Sequence, residues 1–138
     1  MAPNLRAALR EHFGYPAFRP GQEEALRHVL AGRDTLVVMP TGSGKSLIYQ
    51  LAALCQPGTG LVISPLIALM KDQVDGLVRR RIPATYINSA LDLAEQNRRL
   101  RALAAGEYKL VLVAPERIRR PRIRAALEAE TINLQAVD

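Results

Sequence analysis

Cysteine is nearly missing from this chain. Cys55 is the one thiol in 138 residues, so no internal disulfide and no cysteine-rich zinc site can form within it. Placed after an apolar helical run, Cys55 reads as a small buried hydrophobe. Long hydrophobic runs are missing too. The longest, Leu61 to Met70, is interrupted by Ser64 and Pro65 and stops at Lys71, well short of the roughly 20 residues a membrane span needs. The residues from Met1 to Arg6 show no basic stretch followed by an apolar one, so no secretory signal is read there. The expectation is a cytoplasmic location, at the nucleoid in a bacterium, with the nucleus as the other possibility, and no membrane partner. There is no repeat, linker or low-complexity segment, and His12 and His28 stand alone on helical stretches with no chemistry assigned to them.

What the chain does have is enough apolar residue to build a core. They make up 49% of the sequence and mean hydropathy is -0.01, values that fit a single domain burying about two-thirds of its unfolded surface. Basic residues number 19 against 13 acidic ones, a formal charge of +6, which permits a polyanionic partner without requiring one. The arginines cluster. Arg79, Arg80 and Arg81 suit the last turn of a helix; Arg98, Arg99 and Arg101 fall on the polar, solvated side of another. Five more lie within residues 117–124, a run that reads equally as an exposed connector or as a nucleic-acid contact.

The stretch from Thr35 to Ser46 is the most informative. The short apolar run from Thr35 reads as a strand, it leads into a Gly-rich turn at Met39 to Ser46 ending in Gly44-Lys45-Ser46, and Leu47 to Ala53 reads as a helix. Strand, loop and helix in that order make a phosphate-binding loop. The first N–H groups of a helix lack intrahelical acceptors and carry the positive end of its dipole, so they favour an anion. Gly42 and Gly44 allow the tight turn, Lys45 brings a mobile cation to the β and γ phosphates, and the Ser46 hydroxyl is placed to ligate Mg²⁺. The strict form of the motif has glycine where this chain has Met39.

Upstream, Leu5, Ala8, Leu9, His12 and Phe13 recur at helical spacing and Gly14 closes that helix. A second helix begins near Pro20, turns Ala25, Leu26, Val29 and Leu30 inward, and ends at Gly32. Tyr15, Arg19 and Gln22 lie just before and at its start. A purine face can stack on Tyr15 or Arg19 and its edge can pair with the Gln22 carboxamide. With equal weight, Tyr15 and Phe18 are core anchors of the connector. Downstream, strands at Leu61–Ile63, Thr85–Ile87, Lys109–Val113 and Leu134–Asp138 alternate with helices. One opens at Ser64-Pro65 with Leu66, Leu69, Met70, Val74, Leu77 and Val78 as its inner stripe. Others run from Asp92 to Ala105 and from Arg122 to Glu130. Apolar runs alternating with helices indicate an α/β fold, a mainly parallel sheet with helices on both faces. Its strand-to-helix turns then share one rim, where ligands bind.

Several motifs in order carry a resemblance. These are Phe13-Gly14-Tyr15 with Phe18-Arg19-Pro20-Gly21-Gln22, Met39 through Gln50, Ile63 through Val74, and Val113 through Arg117, closing on Ala136-Val137-Asp138. Together they resemble the N-terminal part of a RecQ-family DNA helicase, over nearly the whole chain. The resemblance implies a P-loop NTPase fold, an incomplete RecA-like first motor lobe. Residues 1–138 are then a partial helicase ATP-binding domain, with N-terminal helices and an adenine-recognition motif in 1–33 and the P-loop core in 34–138. The implied activity is ATP-dependent 3′ to 5′ unwinding, with ATP and Mg²⁺ as cofactors and single-stranded and forked DNA as partners.

Carried over residue by residue, Tyr15, Arg19 and Gln22 match the adenine motif, and Thr41, Gly42, Ser43, Gly44, Lys45 and Ser46 the phosphate loop. Ser43 stands where the family commonly has glycine. Ser64, Pro65 and Leu66, with Ala114, Pro115, Glu116 and Arg117, match segments facing the DNA strand. Asp138 matches the first residue of the Asp-Glu-Ala-His box, where it helps hold Mg²⁺, and with Lys45 it forms the catalytic pair within reach. The Glu that follows in the family, the second lobe with its arginine finger and any zinc-binding region lie beyond this stretch, so these residues are expected to hold an ATP half-site without turnover or zinc. A DEAD-box RNA helicase is the alternative, disfavoured by Ser64-Pro65-Leu66; for these residues alone, a non-catalytic nucleotide- or DNA-binding module is another.

Overall fold

The computed structural model describes residues 4–39 and 44–137. The chain divides into two compact units, residues 1–56 and 57–138.

The first unit is helical. Helix α1 spans Leu5–Phe13, capped by Asn4, whose Oδ1 accepts from the Ala7 N–H at 3.1 Å, and it buries Leu5, Leu9 and Phe13. Those positions are four apart, so they form one stripe. Helix α2 spans Gln22–Leu30 and helix α3 spans Lys45–Leu54. The two pack together, with Ala25 and Leu26 from α2 and Leu47, Ile48, Leu51 and Ala52 from α3 buried. Cys55 caps α3 and is half-buried rather than fully enclosed.

Thr35 to Met39 differs from expectation. The segment is in no strand, and Leu36 and Val38 are 90% and 86% exposed. Its composition suits a strand, but a strand is made by hydrogen bonds to a neighbour, and among the described residues nothing pairs with this backbone.

The second unit is a four-stranded parallel sheet, its strands β1 Thr59–Ile63, β2 Ala84–Ile87, β3 Leu110–Val113 and β4 Ile132–Val137, in the order β2-β3-β1-β4. Between them run α4 (Ile67–Arg79), α5 (Leu93–Ala104), a single 3₁₀ turn at Pro115–Arg117 and α6 (Pro121–Ala129). The chain moves in one direction across the sheet from β1 to β2, then in the other from β2 to β3 and from β3 to β4. Right-handed crossovers therefore put α4 on one face and α5 with α6 on the other. The α5–α6 face is a continuous cluster of Leu61, Ile87, Leu100, Leu103, Val111, Val113, Ile123 and Ala126. The alternate residues Val62, Leu110 and Leu112 are equally buried, so β3 is enclosed on both faces. Each such side chain contributes about 1.5–3 kcal/mol by leaving water.

Polar groups fix the sheet's ends. At the start of β1 the buried Thr59 donates from Oγ1 to the Tyr108 carbonyl at 2.6 Å. On the β2 edge, Arg99 lies 4.6 Å from the centre of the Tyr86 ring, donates to the Tyr86 carbonyl at 2.9 Å and bonds Glu95 at 2.8 Å. The sequence places it on a solvated face, yet only 17% of its side chain is exposed. Arg98, bonded to the same Glu95, is the solvated member of the pair.

Candidate nucleotide site and strand-end rim

The nucleotide candidate lies in the first unit, at the N-terminus of α3. Gly44 occupies the cap position with φ 80, in the left-handed region, and no acidic residue falls in the helix's first turn. The positive end of the α3 dipole is therefore not neutralised locally. Lys45 is exposed and Ser46 half-buried, and neither side chain has a hydrogen-bond or ion-pair partner among the described residues. Thr41, Gly42 and Ser43 lie outside the described residues.

Gln22 reaches this turn from α2. Buried to 3% exposure, its Nε2 donates to the Gly44 carbonyl at 3.0 Å, while its Oε1 accepts from the Arg19 N–H at 2.8 Å. One side chain thus joins the adenine candidate Arg19 to the residue that caps α3. An amide has two donor hydrogens and two acceptor lone pairs, and among the described residues one of each has no partner. Arg19 and Gln22 are brought together as expected; Tyr15 is 47% exposed, its ring open to solvent. A hollow of about 310 Å³ beside Arg19 is walled partly by Glu23 and Glu24, carboxylates unsuited to a phosphate.

The sequence did not disclose how closely the two ends of the loop are held. A Cβ at Gly44 would lie 2.5 Å from Gln22 Nε2, and one at Gly21 would lie 2.8 Å from Met39 Cε. Gly21 itself caps α2 at φ 85. The Met39 that breaks the strict motif is thus the side chain against α2's first turn, and Gln22 holds the other end at Gly44. A single glycine-glutamine pair touches residues 39 and 44, flanking the loop. The only hint in the sequence was that an unusual Met occupies a glycine position.

The second unit carries the rim. Register aligns Ile87, Val113, Ile63 and Val137 in one row across the sheet, and the chain leaves each described strand there. Pairing runs one residue further, with Ser64 N–H donating to the Val113 carbonyl at 3.2 Å and Ala114 N–H to that of Ile87 at 3.1 Å. Ser64, Asn88 and Ala114 are therefore neighbours along the rim, as the alternating pattern predicts for two of them. Asp138, the next residue after the row on β4, lies outside the described residues.

Local chemistry at the rim departs from expectation in two ways. Ser64 does not cap α4; its Oγ accepts from the Leu66 N–H at 3.2 Å in a tight turn, and the helix starts at Ile67. A short hydroxyl competes for nearby backbone groups, and here that bond delays the helix. The inner stripe is also narrower than expected. Met70, Val74 and Leu77 are buried, but Leu66, Leu69 and Val78 are 51%, 50% and 53% exposed, two of them next to the rim. Pro65, Pro115 and Glu116 are exposed. Arg117 is half-buried, and its Nε is buried without a hydrogen-bond partner among the described residues.

Asn88 was missed by sequence reasoning. It is buried on the rim, accepts at Oδ1 from the Ala90 N–H at 2.9 Å and sets Nδ2 3.5 Å from Met70 Sδ. An asparagine followed by serine just after an apolar run was the available signal.

A parallel sheet whose strand ends form one rim, with a Gly-Lys-Ser helix start in the same chain, defines the class of phosphate-loop α/β proteins. The comparisons with known proteins narrow it. The DEAD/DEAH box helicase profile matches residues 19–138, and the chain belongs to that family.

Among its relatives, the ATP-dependent DNA helicase RecQ of Haemophilus influenzae is 50% identical over 116 residues, 84% of this chain and 19% of that protein. RecQ of Bacillus subtilis is 45% identical over 139 residues, 100% of this chain and 24% of that one. The chain thus spans about a fifth to a quarter of the length of these curated relatives. A crystal structure of the DUF1998 helicase MrfA bound to DNA matches with a TM-score of 0.73 at 22% identity, covering 99% of this chain and 20% of that one. That likeness shows the fold: a mostly parallel sheet with helices.

Proposed function

We propose that this chain is the ATP-binding part of a RecQ-type DNA helicase, which unwinds DNA in the 3′ to 5′ direction at the expense of ATP. The observation that supports this most is the start of α3. An unneutralised helix N-terminus presents Gly44, Lys45 and Ser46, and Gln22 ties it to the Arg19 turn. Lys45 meets the β and γ phosphates, and Gln22 and Arg19 meet adenine, with Tyr15 beside them. Thr41, Gly42 and Ser43 complete the phosphate loop.

The chemistry of the donors suits a hard cation. Ser46 offers a hydroxyl with no competing partner among the described residues, and Asp138 a carboxylate directly after β4. Ser46 and Asp138 are the residues that would hold Mg²⁺, which neutralises phosphate charge when bound. The rim residues Ser64, Pro65, Leu66, Pro115, Glu116 and Arg117 face a single strand of DNA at a fork. The relatives named above are DNA helicases, which ranks DNA over the RNA alternative.

The test is a titration with a fluorescent ATP analogue in the presence of Mg²⁺. The 138 residues bind it weakly, and Lys45→Ala lowers affinity tenfold or more because a charge-assisted contact to phosphate is lost. Phosphate release stays at background with or without DNA, since an arginine finger alone supplies about 10³ to 10⁵ in rate. Undiminished binding by Lys45→Ala would remove the loop from the proposal. DNA-stimulated turnover by these residues alone would show that they hold more than a half-site.

A further inference from the structure

Apart from the nucleotide candidate and the rim, α5 and α6 enclose a groove of about 450 Å³ on the outer side of the second unit. Its volume falls in the range of ligand-sized clefts, about 300–1,000 Å³. Leu100 and Ala126 form the floor and continue into the buried cluster, while Ala104 and Ala125 are exposed walls. Small side chains at these two wall positions leave the aliphatic floor open. Arg101 stands on the α5 side and Arg122 on the α6 side, both exposed, and no acidic residue lines the groove.

The two arginines are not equivalent. Arg122 donates from Nη1 to Asn97 Oδ1 at 2.9 Å, so its guanidinium is held across the groove mouth with four of its five donor hydrogens still available. Arg101 has no side-chain partner among the described residues. An apolar floor between two guanidinium groups is complementary to a peptide that offers aliphatic anchors flanked by carboxylates.

We infer that the α5–α6 groove is a docking site for an acidic, leucine-bearing peptide segment of a partner protein. Its leucine side chains lie on Leu100 and Ala126 and its carboxylates bridge to Arg101 and Arg122. A second copy of this chain is a poor occupant, because a molecule with net charge +6 meets like charge at the rim. Nucleic acid fits less well than peptide. Binding of single strands relies on aromatic platforms for bases, and none of the groove's lining residues is aromatic. The neighbouring hollow beside Arg119 and Arg124 is a weaker candidate, since Glu128 stands in its wall.

The probe is a fluorescein-labelled synthetic peptide of glutamates with leucines at helical spacing, followed by anisotropy against the 138-residue chain. Binding is expected to weaken at least tenfold in Arg101→Glu/Arg122→Glu and, independently, in Ala125→Trp, which fills the groove from an exposed position. Circular dichroism checks that each variant keeps its helix content, and the second variant carries the test should the first lose it. A control peptide with lysine in place of glutamate should not bind. Equal affinity of chain and variants, or no binding of the acidic peptide, overturns the assignment. So does a labelled oligothymidylate that responds to the same variants while the acidic peptide does not, which would make the groove a nucleic-acid surface.

Discussion

Two apolar runs of almost the same composition meet opposite fates. Leu36-Val37-Val38-Met39 lies in no helix or strand, with Leu36 and Val38 exposed, whereas Leu110-Val111-Leu112-Val113 is β3, with every residue buried. Side-chain chemistry does not separate them. What separates them is the backbone: β3 has β1 on one side and β2 on the other, so its N–H and C=O groups are all answered and both faces are covered. An apolar run becomes a parallel strand when neighbours supply both requirements, and its composition states only that it could.

The sharpest way to break this comparison is to truncate one leucine in each run. Leu112→Ala removes a side chain 1% exposed in the centre of the sheet and should cost about 2–5 kcal/mol in a urea melt, the range for cavities that relax only in part. Leu36→Ala removes one that is 90% exposed and should change stability by less than about 0.5 kcal/mol. Amide exchange gives the same contrast without mutation: fast at residues 36–39, slow at 110–113. Comparable costs for the two substitutions would mean that the first run is paired in solution and that the expectation of a strand there was right.

The same contrast explains how much could be read beforehand. Elements that define themselves locally were legible, because caps and periodicity need only a few consecutive residues. Examples are α1 ending at Gly14, α5 from Asp92, and the four strands of the second unit within two residues of where they lie. The parallel sheet and its rim followed from the alternation of runs and helices. Misreadings arose wherever a residue's partner is distant or competes. Ser64 spends its hydroxyl on Leu66 instead of capping α4, Arg99 turns from solvent to Tyr86, and Thr35 to Met39 makes no strand pairing among the described residues. At the nucleotide candidate, the identities of Lys45, Ser46 and Gln22 were legible, but the Gln22–Gly44 bond and the approach of Met39 to Gly21 were not. Both join residues at least 18 positions apart.

Met39 offers a finer cut, since it is the residue of the exposed run whose side chain reaches another element. Gly21→Ala adds a methyl 2.8 Å from Met39 Cε and places a Cβ at φ 85. The left-handed backbone alone costs about 1–2 kcal/mol, while the flexible thioether can shift. Pairing the change with Met39→Ala separates the two causes. The backbone cost should persist in the double variant, and any additional loss of nucleotide affinity through displacement of residue 39 should be recovered. If the double variant recovers nothing, Met39 does not hold the loop's entry, and the whole run from 35 to 39 is as unconstrained as Leu36.

The smallest effect belongs to the strap on the outer edge of β2, next to the fully enclosed β3. The Arg98 hydrogen bond, followed by that of Arg99, holds the Glu95 carboxyl down at about 2, against an ordinary value of 4.5. A depressed carboxyl stabilises the folded chain fully above the unfolded value, and that contribution is lost as pH falls from about 4.5 through 2. Glu95→Gln keeps the shape and removes the charge. Its deficit in urea midpoint relative to the parent should therefore be present at pH 7, shrink below about 4.5 and vanish near 2, and it should stay small because exposed ion pairs contribute little. A deficit that does not change with pH would show that Glu95 acts by packing α5 alone. In that case the cation–π stack of Arg99 on Tyr86, rather than the carboxylate, secures the edge of the sheet on which the enclosure of β3 depends.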